Sequence, residues 1–401
     1  MNLSKILIII SITLVMITCI PSPLDVIADA GYEISTGQIV AAHDYNWIVD
    51  SANKLLGKTP RVIIEGYCER SEGGQQDFYS EGDYWWPNPE DLDGPYIRKD
   101  GMTNPENFVL HRQAMRDMSI TVATLTAATK VAETNEVYAA EATMHLQKWF
   151  LDEQYRMNPN MSYAQAIKGR VPGRGVGLID GNHLVEPAQA IMYLHKQGFI
   201  PETEFKQYQA WFAEFLTWMT THEYGIDERE RKNNHGTCWV LQAATFAKLT
   251  ENEAVLDYCR ERYKTVLLPN QMSPDGSFHL ELSRTKPYGY SLFNMDMMAS
   301  VCHILSTPED NLWTYELDDG QSMAKGMEYI YPFIKDKSLW TLPPDVMYWD
   351  EWPARHPALI FAYQALGDKK YKDLWESFEP LPATEEGLRN FPIRQPVLWM
   401  D

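Results

Sequence analysis

The sequence predicts an all-α fold: an incomplete (α/α) toroid or barrel of antiparallel helix hairpins, with a long irregular aromatic loop over its cleft. Three observations carry this. From Asn104 onward, apolar residues recur at three- and four-residue spacing, as in Met115, Met118, Val122 and Leu125, or Trp239, Ala243, Phe246 and Ala247, which is the period of one helix face. Breakers separate the stretches: Asn158-Pro159, Gly198 to Pro201, Pro269, Pro308 and Pro343-Pro344. Strand-like alternation is scarce. About ten helices joined by short loops pack as antiparallel hairpins, and hairpins set around an axis leave one end open.

Taken in order, Lys5 precedes an apolar run from Ile6 to Ile17, followed by Thr18, Cys19 and a proline. This reads as an export signal over residues 1–20, too short for a membrane span. Cys19 is a lipidation candidate, so a periplasmic or outer-membrane-associated protein is expected. Residues 21–401 are expected to form a single domain, as a monomer. A helix is expected over Thr36–Leu56, and "RVIIEGY" at 61–67 reads as a short strand. Residues 59–105 are irregular and rich in Gly, Pro, Asp and aromatics; so long a segment in a compact protein is usually functional. Further helices are expected over 136–155, 182–197, 202–222, from near Gly236, and over 252–267, 291–305, 320–334, 354–366 and 369–378, with 277–285 extended.

Composition narrows the function. A net charge of −20 argues against nucleic acid as a partner. It does not exclude an acidic polysaccharide, because salt screens charges beyond about 10 Å and a basic groove can sit in an acidic protein. The 13 Trp and 22 Tyr provide flat faces suited to stacking on sugars. Cys68, Cys238, Cys259 and Cys302 are widely spaced and read as buried free thiols. There is no HExxH and no CxxC pair, so no metal or cofactor is expected.

Beyond the aromatic loop, three segments can carry chemistry. "IKGRVPGRGVGLIDGNH", 167–183, holds Lys168, Arg170 and Arg174 among glycines and reads either as an anion cradle or as a solvated loop. "NNHG", 233–236, offers Asn233 or Asn234 as a helix cap. Asn234 and His235 can equally project from a helix N-terminus, where an anion is favoured. "DGSFHLELSRTKPYGYSLFN", 275–294, holds Arg284 and Tyr290 six residues apart. Arg284 can simply pair with a carboxylate such as Glu281, and Tyr290 can simply be core.

Together with "YWWPNP…DGPYIRKDG" at 84–101, "GRGVGLID" at 173–180 and "HPALIFAYQALGDKKY" at 356–371, these segments resemble the alginate lyase superfamily of helical-toroid polysaccharide lyases. The long aromatic loop is most similar to the branch that includes glucuronan lyases. The resemblance implies an active site of Asn234, His235, Arg284 and Tyr290. In the best-known alginate lyases the Arg-to-Tyr gap is one residue longer, which points here to Ser291, while Tyr288 is also close; the six-residue gap to Tyr290 fits the glucuronan-lyase-like branch.

The implied reaction is metal-independent β-elimination on a 1,4-linked uronic-acid polymer, alginate or glucuronan, leaving 4,5-unsaturated ends. Asn234, His235 and Arg284 would neutralise the carboxylate beside C5, in the manner of an oxyanion hole. Tyr290 would act as base and acid in a syn elimination, or as acid with His235 as base in an anti elimination. Tyr84, Trp85, Trp86, Arg98, Arg170, Arg174, Asn233 and Tyr288 are the expected substrate contacts. Two other readings stay open. A glycoside hydrolase acting on uronides would need two carboxylates facing each other, with Asp318-Asp319 and Asp350-Glu351 the obvious pairs. A non-catalytic helical glycan-binding lipoprotein would not need Asn234, His235, Arg284 and Tyr290 to converge.

Overall fold

A computed structural model describes residues 34–391 and 393–400. The export segment and Cys19 lie outside the described residues.

Helices dominate and form two rings. Leu110–Val131, Val185–Lys196, Asn234–Leu249, Pro287–Leu305 and Pro357–Leu366 line the inside. The inner helices are more enclosed than the outer ones; Asn234–Leu249 buries Cys238 through Ala247 without a break. Thr36–Leu55, Glu136–Phe150, Glu202–Thr221, Glu253–Arg262, Met323–Lys335 and Lys369–Glu376 lie outside them. The outer helices bury one stripe. In Thr36–Leu55 it is Gly37, Val40, Asp44, Ile48 and Ala52, spaced by three and four. Each wholly buried Leu or Phe contributes about 1.5–3 kcal/mol, and the buried side chains run as one cluster through both rings.

The ring is incomplete. The C-terminal segment fills part of the gap: Arg394 and Gln395 donate backbone N–H groups to Glu186 at 2.6 and 2.7 Å, and Gln189 Nε2 donates to the Leu398 carbonyl at 2.7 Å. Cys68, Cys238, Cys259 and Cys302 are free and buried. Among the described residues, no helix is long and apolar enough to cross a membrane.

Several local expectations change. Residues 61–67 form no strand; Ile63–Glu65 is a 3₁₀ turn, closed by Val62 N–H donating to Glu65 Oε1 at 2.8 Å. The segment expected to be extended at 277–285 contains a short helix, His279–Leu282, because Glu281 and Arg284 are both tied to distant residues. The next helix begins at Pro287 rather than Ser291, since proline suits the first helical position. Residues 263–267 continue the preceding helix as a π turn. The aromatic loop contributes three short strands to two pairs. Tyr79–Glu81 runs parallel to Tyr163–Ala166, and Trp85–Trp86 runs antiparallel to Ile97–Arg98. Backbone bonds from Tyr96 to Lys168 and from Gly82 to Ala166 pin the loop to the toroid rim.

Candidate active site

The loop and the inner helix ends enclose a cavity of about 360 Å³. Its wall includes Tyr84, Trp85, Arg98, Arg174, Asn234, His235, Arg284 and Tyr290. The four residues expected to react therefore share one cavity. Five arginines and three aspartates line it, an excess of two positive charges within a chain of net charge −20.

Asn234 opens its helix, so Asn233, not Asn234, occupies the cap position, and it does so without a side-chain cap bond. His235 Nδ1 lies 2.7 Å from Glu228 Oε1, and Glu228 is wholly buried. A carboxylate only accepts, so Nδ1 carries a proton, and in the neutral ring the lone pair lies on Nε2. A second cavity histidine has the opposite tautomer. Arg394 Nη2 donates to His183 Nδ1 at 2.9 Å, which puts the His183 proton on Nε2. Burial, then Arg394 and three further arginines, hold His183 neutral.

Arg284 sits 4.8 Å from the Tyr290 ring centroid and donates to Asp100 at 3.1 Å. Asp100 also accepts from Arg98 at 2.5 Å and from Thr285 at 3.0 Å. Burial opposes ionisation of Asp100, but Arg284, Thr285 and Arg98 outweigh it and hold the carboxyl below its usual range. The Tyr290 hydroxyl makes a short hydrogen bond with the hydroxyl of Tyr84. Burial and then Tyr84 push the Tyr290 phenol well up, although Arg284 pulls the other way. Lys286 Nζ lies 5.4, 5.1 and 5.0 Å from the ring centroids of Tyr84, Tyr290 and Tyr348. Burial works against its charge, but Glu386 and Tyr84 outweigh it and raise its pKa.

The Gly-rich segment packs closely against backbone and turns one of its cations to the cavity. Its glycines allow close backbone approach: a Cβ on Gly173 would lie 2.0 Å from the Ser162 carbonyl oxygen, and one on Gly177 2.5 Å from that of Ala164. Arg174 alone of its three cations reaches the cavity wall. Its Nε and Nη2 donate to the Gln165 carbonyl and Oε1 at 3.0 and 2.8 Å, and burial brings its pKa down to about 10. Gln165 has φ +50, a backbone region rare for residues other than glycine.

Four expected contacts lie off the wall. Tyr288 is core: its hydroxyl donates to the Phe333 carbonyl at 2.9 Å. Residues two apart on a helix face opposite sides, so Tyr290 meets the cavity and Tyr288 cannot. Trp86 follows Trp85 in a strand and alternates to the other face, where Nε1 donates to the Met102 carbonyl at 2.8 Å. Arg170 is exposed, its guanidinium 5.1 Å from the Trp85 ring centroid, and does not line the cavity. Asn233 offers its carbonyl to Gln271 Nε2 at 3.1 Å.

The wall carboxylates are all tied to arginines. Asp83 accepts from Arg112 and Arg389, each at 2.8 Å, Asp180 from Arg112 at 3.2 Å, and Asp227 from Arg231 at 2.6 Å. Asp318, Asp319, Asp350 and Glu351 are not on the wall. None of these pairs presents the free acid that glycoside hydrolysis needs. Sequence reasoning missed Glu228, which lies in a charged run with no local mark, and passed over His183, Asp100 and Lys286 although they lie inside the segments it singled out. Glu281 was visible beside Arg284, but its partner is Asn234, at 2.7 Å.

The alginate lyase family model matches residues 64–340. No curated protein sequence matches the chain. Among solved structures, an alginate lyase from Bacteroides ovatus is similar at 31% identity and a TM-score of 0.77, over 89% of this chain and 93% of that one. A histidine-to-alanine variant of alginate lyase A1-III complexed with a tetrasaccharide shares the fold at 15% identity and a TM-score of 0.50, over 82% of this chain and 85% of that one.

Proposed function

The chain belongs to the alginate lyase family of polysaccharide lyases, and from that premise we propose that it cleaves a 1,4-linked polyuronate, alginate or glucuronan, by β-elimination in this cavity without a metal. The observation that carries the reading is the convergence of Asn234, His235, Arg284 and Tyr290 on one wall.

The C5 proton is poorly acidic because its loss adds charge beside a carboxylate. Arg284 and Asn234 neutralise that carboxylate and stabilise the enolate-like charge as it develops. His235, with Nδ1 bound by Glu228, offers Nε2 as the base when C5–H and O4 lie on opposite faces. Tyr290, whose raised pKa keeps it protonated at rest, donates to O4 as the glycosidic bond breaks. When both lie on the same face Tyr290 takes both roles, and the bond to Tyr84 stabilises the phenolate as it forms. Trp85, Arg98 and Arg174 hold neighbouring sugars. The N-terminal signal supports action outside the cytoplasm, which cell fractionation with lipid labelling at Cys19 tests.

The assay follows ultraviolet absorbance of the C4–C5 double bond conjugated to the carboxylate, on mannuronan, guluronan and glucuronan, with and without chelator. Product from at least one polymer is expected, unchanged by chelation and lost in Tyr290→Phe. A Tyr290→Phe variant as fast as the parent refutes the assignment of Tyr290.

A further inference from the structure

Asn182-His183 stands just before one inner helix as Asn234-His235 opens the next, and all four residues line the cavity. The two pairs are not equivalent. Asn182 is tied into the core, where its Oδ1 accepts from Gln242 Nε2 at 3.0 Å. His183 is 2% exposed, and Arg394 Nη2 donates to its Nδ1 at 2.9 Å. A guanidinium has donors and no acceptor, so the nitrogen that faces it holds a lone pair. An imidazolium, with a proton on each nitrogen, would set N–H against N–H there. The ring is therefore neutral and its one proton sits on the far nitrogen, Nε2. Turning the ring over changes nothing: whichever nitrogen faces Arg394 accepts, and the other donates.

That second nitrogen has no hydrogen-bond partner among the described residues, and it is not sealed within protein. On a ring that lines the cavity, the unpaired N–H opens on that space. Arg394 is itself fixed. Its backbone N–H donates to Glu186 Oε1 at 2.6 Å, and Nη2 also donates to the Leu388 carbonyl at 2.9 Å. It lies beyond residues 64–340, the stretch that the family model matches.

We propose that His183 is a substrate-binding residue whose Nε2–H donates to a uronate carboxylate, and that Arg394 is the positioning residue that fixes this tautomer. This rests on the reading of the cavity as a uronate site. A neutral imidazole N–H serves as an electrophile toward oxygen in other enzyme sites. The acceptor is an anionic oxygen because the wall sets five arginines against three aspartates, and Arg394, Arg116, Arg112 and Arg389 all bear on the ring. The two histidines then divide the work. His235 offers a lone pair and is free to take a proton, whereas His183 only donates and is no rival for the base.

Nitrogen-15 NMR of the imidazoles tests this in the Tyr290→Phe protein, with His183→Gln identifying the signal. The His183 ring is expected to show Nε2–H and a bare Nδ1 throughout about pH 5–8, where free histidines titrate. Saturation with a mannuronate or glucuronate tetrasaccharide is expected to move the Hε2 proton downfield, as a new hydrogen bond to a carboxylate does. An Hε2 that neither tetrasaccharide moves, a proton on Nδ1, or titration within that range overturns the proposal. A neutral oligosaccharide that moves Hε2 as far at saturation overturns the carboxylate assignment.

Affinity gives a second reading. His183→Met keeps neither the acceptor nor the donor and is expected to raise Kd for the tetrasaccharide about tenfold or more. His183→Gln keeps an acceptor for Arg394 and an N–H for the cavity and is expected to recover most of that loss. An unchanged Kd in His183→Met overturns the proposal, and should that variant fail to fold, the Hε2 response decides alone. A parent enzyme that yields no unsaturated product from any uronan refutes the lyase reading instead, and the Hε2 response to a uronate stands apart from it.

Discussion

His235 Nδ1 and Glu228 Oε1 lie 2.7 Å apart behind the cavity wall that His235 lines, with the carboxylate sealed from solvent. The pair fixes the tautomer that a base needs. Glu228→Gln retains the shape but can donate to Nδ1, which strands the proton on the wrong nitrogen. A loss of about 10²-fold or more in kcat is expected, by analogy with triads in which the orienting carboxylate is neutralised. Initial rates from double-bond absorbance check it, with circular dichroism as the control for folding. A rate within about twofold of the parent removes Glu228 from the mechanism.

Lys286 is a second cation beside the reacting phenol, 5.1 Å from the Tyr290 ring. In the proposed mechanism it would stabilise the negative charge left on oxygen when Tyr290 gives up its proton. Lys286→Met removes a desolvated cation–π contact worth about 2 kcal/mol. The expected outcome is a fall in kcat of roughly tenfold or more with little change in KM. A change confined to KM places Lys286 in binding instead.

Asp83 stands between Arg112 and Arg389. Burial opposes its ionisation, but the two guanidinium groups outweigh burial and hold its carboxyl well below the usual range. A depressed carboxyl contributes stability that is present above its unfolded pKa of about 3.9 and is lost as pH falls toward the folded value. Asp83→Asn removes one carboxylate from buried Arg112 and from half-buried Arg389, leaving them Asp180 and Glu386, and costs about 3 kcal/mol. Thermal melts across acidic pH check both points: the variant is less stable near neutrality and its melting point falls less steeply with acid.

The cavity wall carries an excess of positive charge, and its cations reach a polyanion partly through solvent. Raising salt from about 0.05 to 0.5 M shortens the screening length severalfold. KM is expected to rise steeply over this range while kcat at saturation changes little. A salt-independent KM contradicts electrostatic capture of the polymer.

Gly177 packs on the strand that carries Gln165. A Cβ there would stand 2.5 Å from the Ala164 carbonyl oxygen, and backbone cannot step aside as a side chain can. Gly177→Ala is expected to cost about 1–3 kcal/mol and to lower activity by displacing Gln165 and Arg174. Denaturant titration with rate measurement tests the pair of effects; an unperturbed variant shows that the close approach is dispensable.

Much of this architecture is legible in the chain itself, because helix formation and amphipathic period are local. The helices at Thr36–Leu55, Glu202–Thr221 and Lys369–Glu376 begin where the helical pattern places them. The segment 277–285 was misread because its helical turn is held by distant partners: Asn234 for Glu281 and Asp100 for Arg284, 47 and 184 residues away. Tyr290 and Tyr288 could be separated only once their helix had a known facing, as could Trp85 and Trp86 on their strand.

By itself the sequence determined the helical class and the aromatic loop, because helical period and turn residues are short-range patterns, while Asn234, His235, Arg284 and Tyr290 were singled out by the resemblance of their segments to the alginate lyase superfamily. Only the tertiary structure decided which atoms those residues present. Glu228 sets the ring proton of His235, Glu281 engages the carboxamide of Asn234, and Tyr84 meets Tyr290 from 206 residues away. Hydrogen-bond direction depends on which buried acceptor or donor stands within about 3 Å, and that is settled by packing between elements rather than by neighbours in the chain.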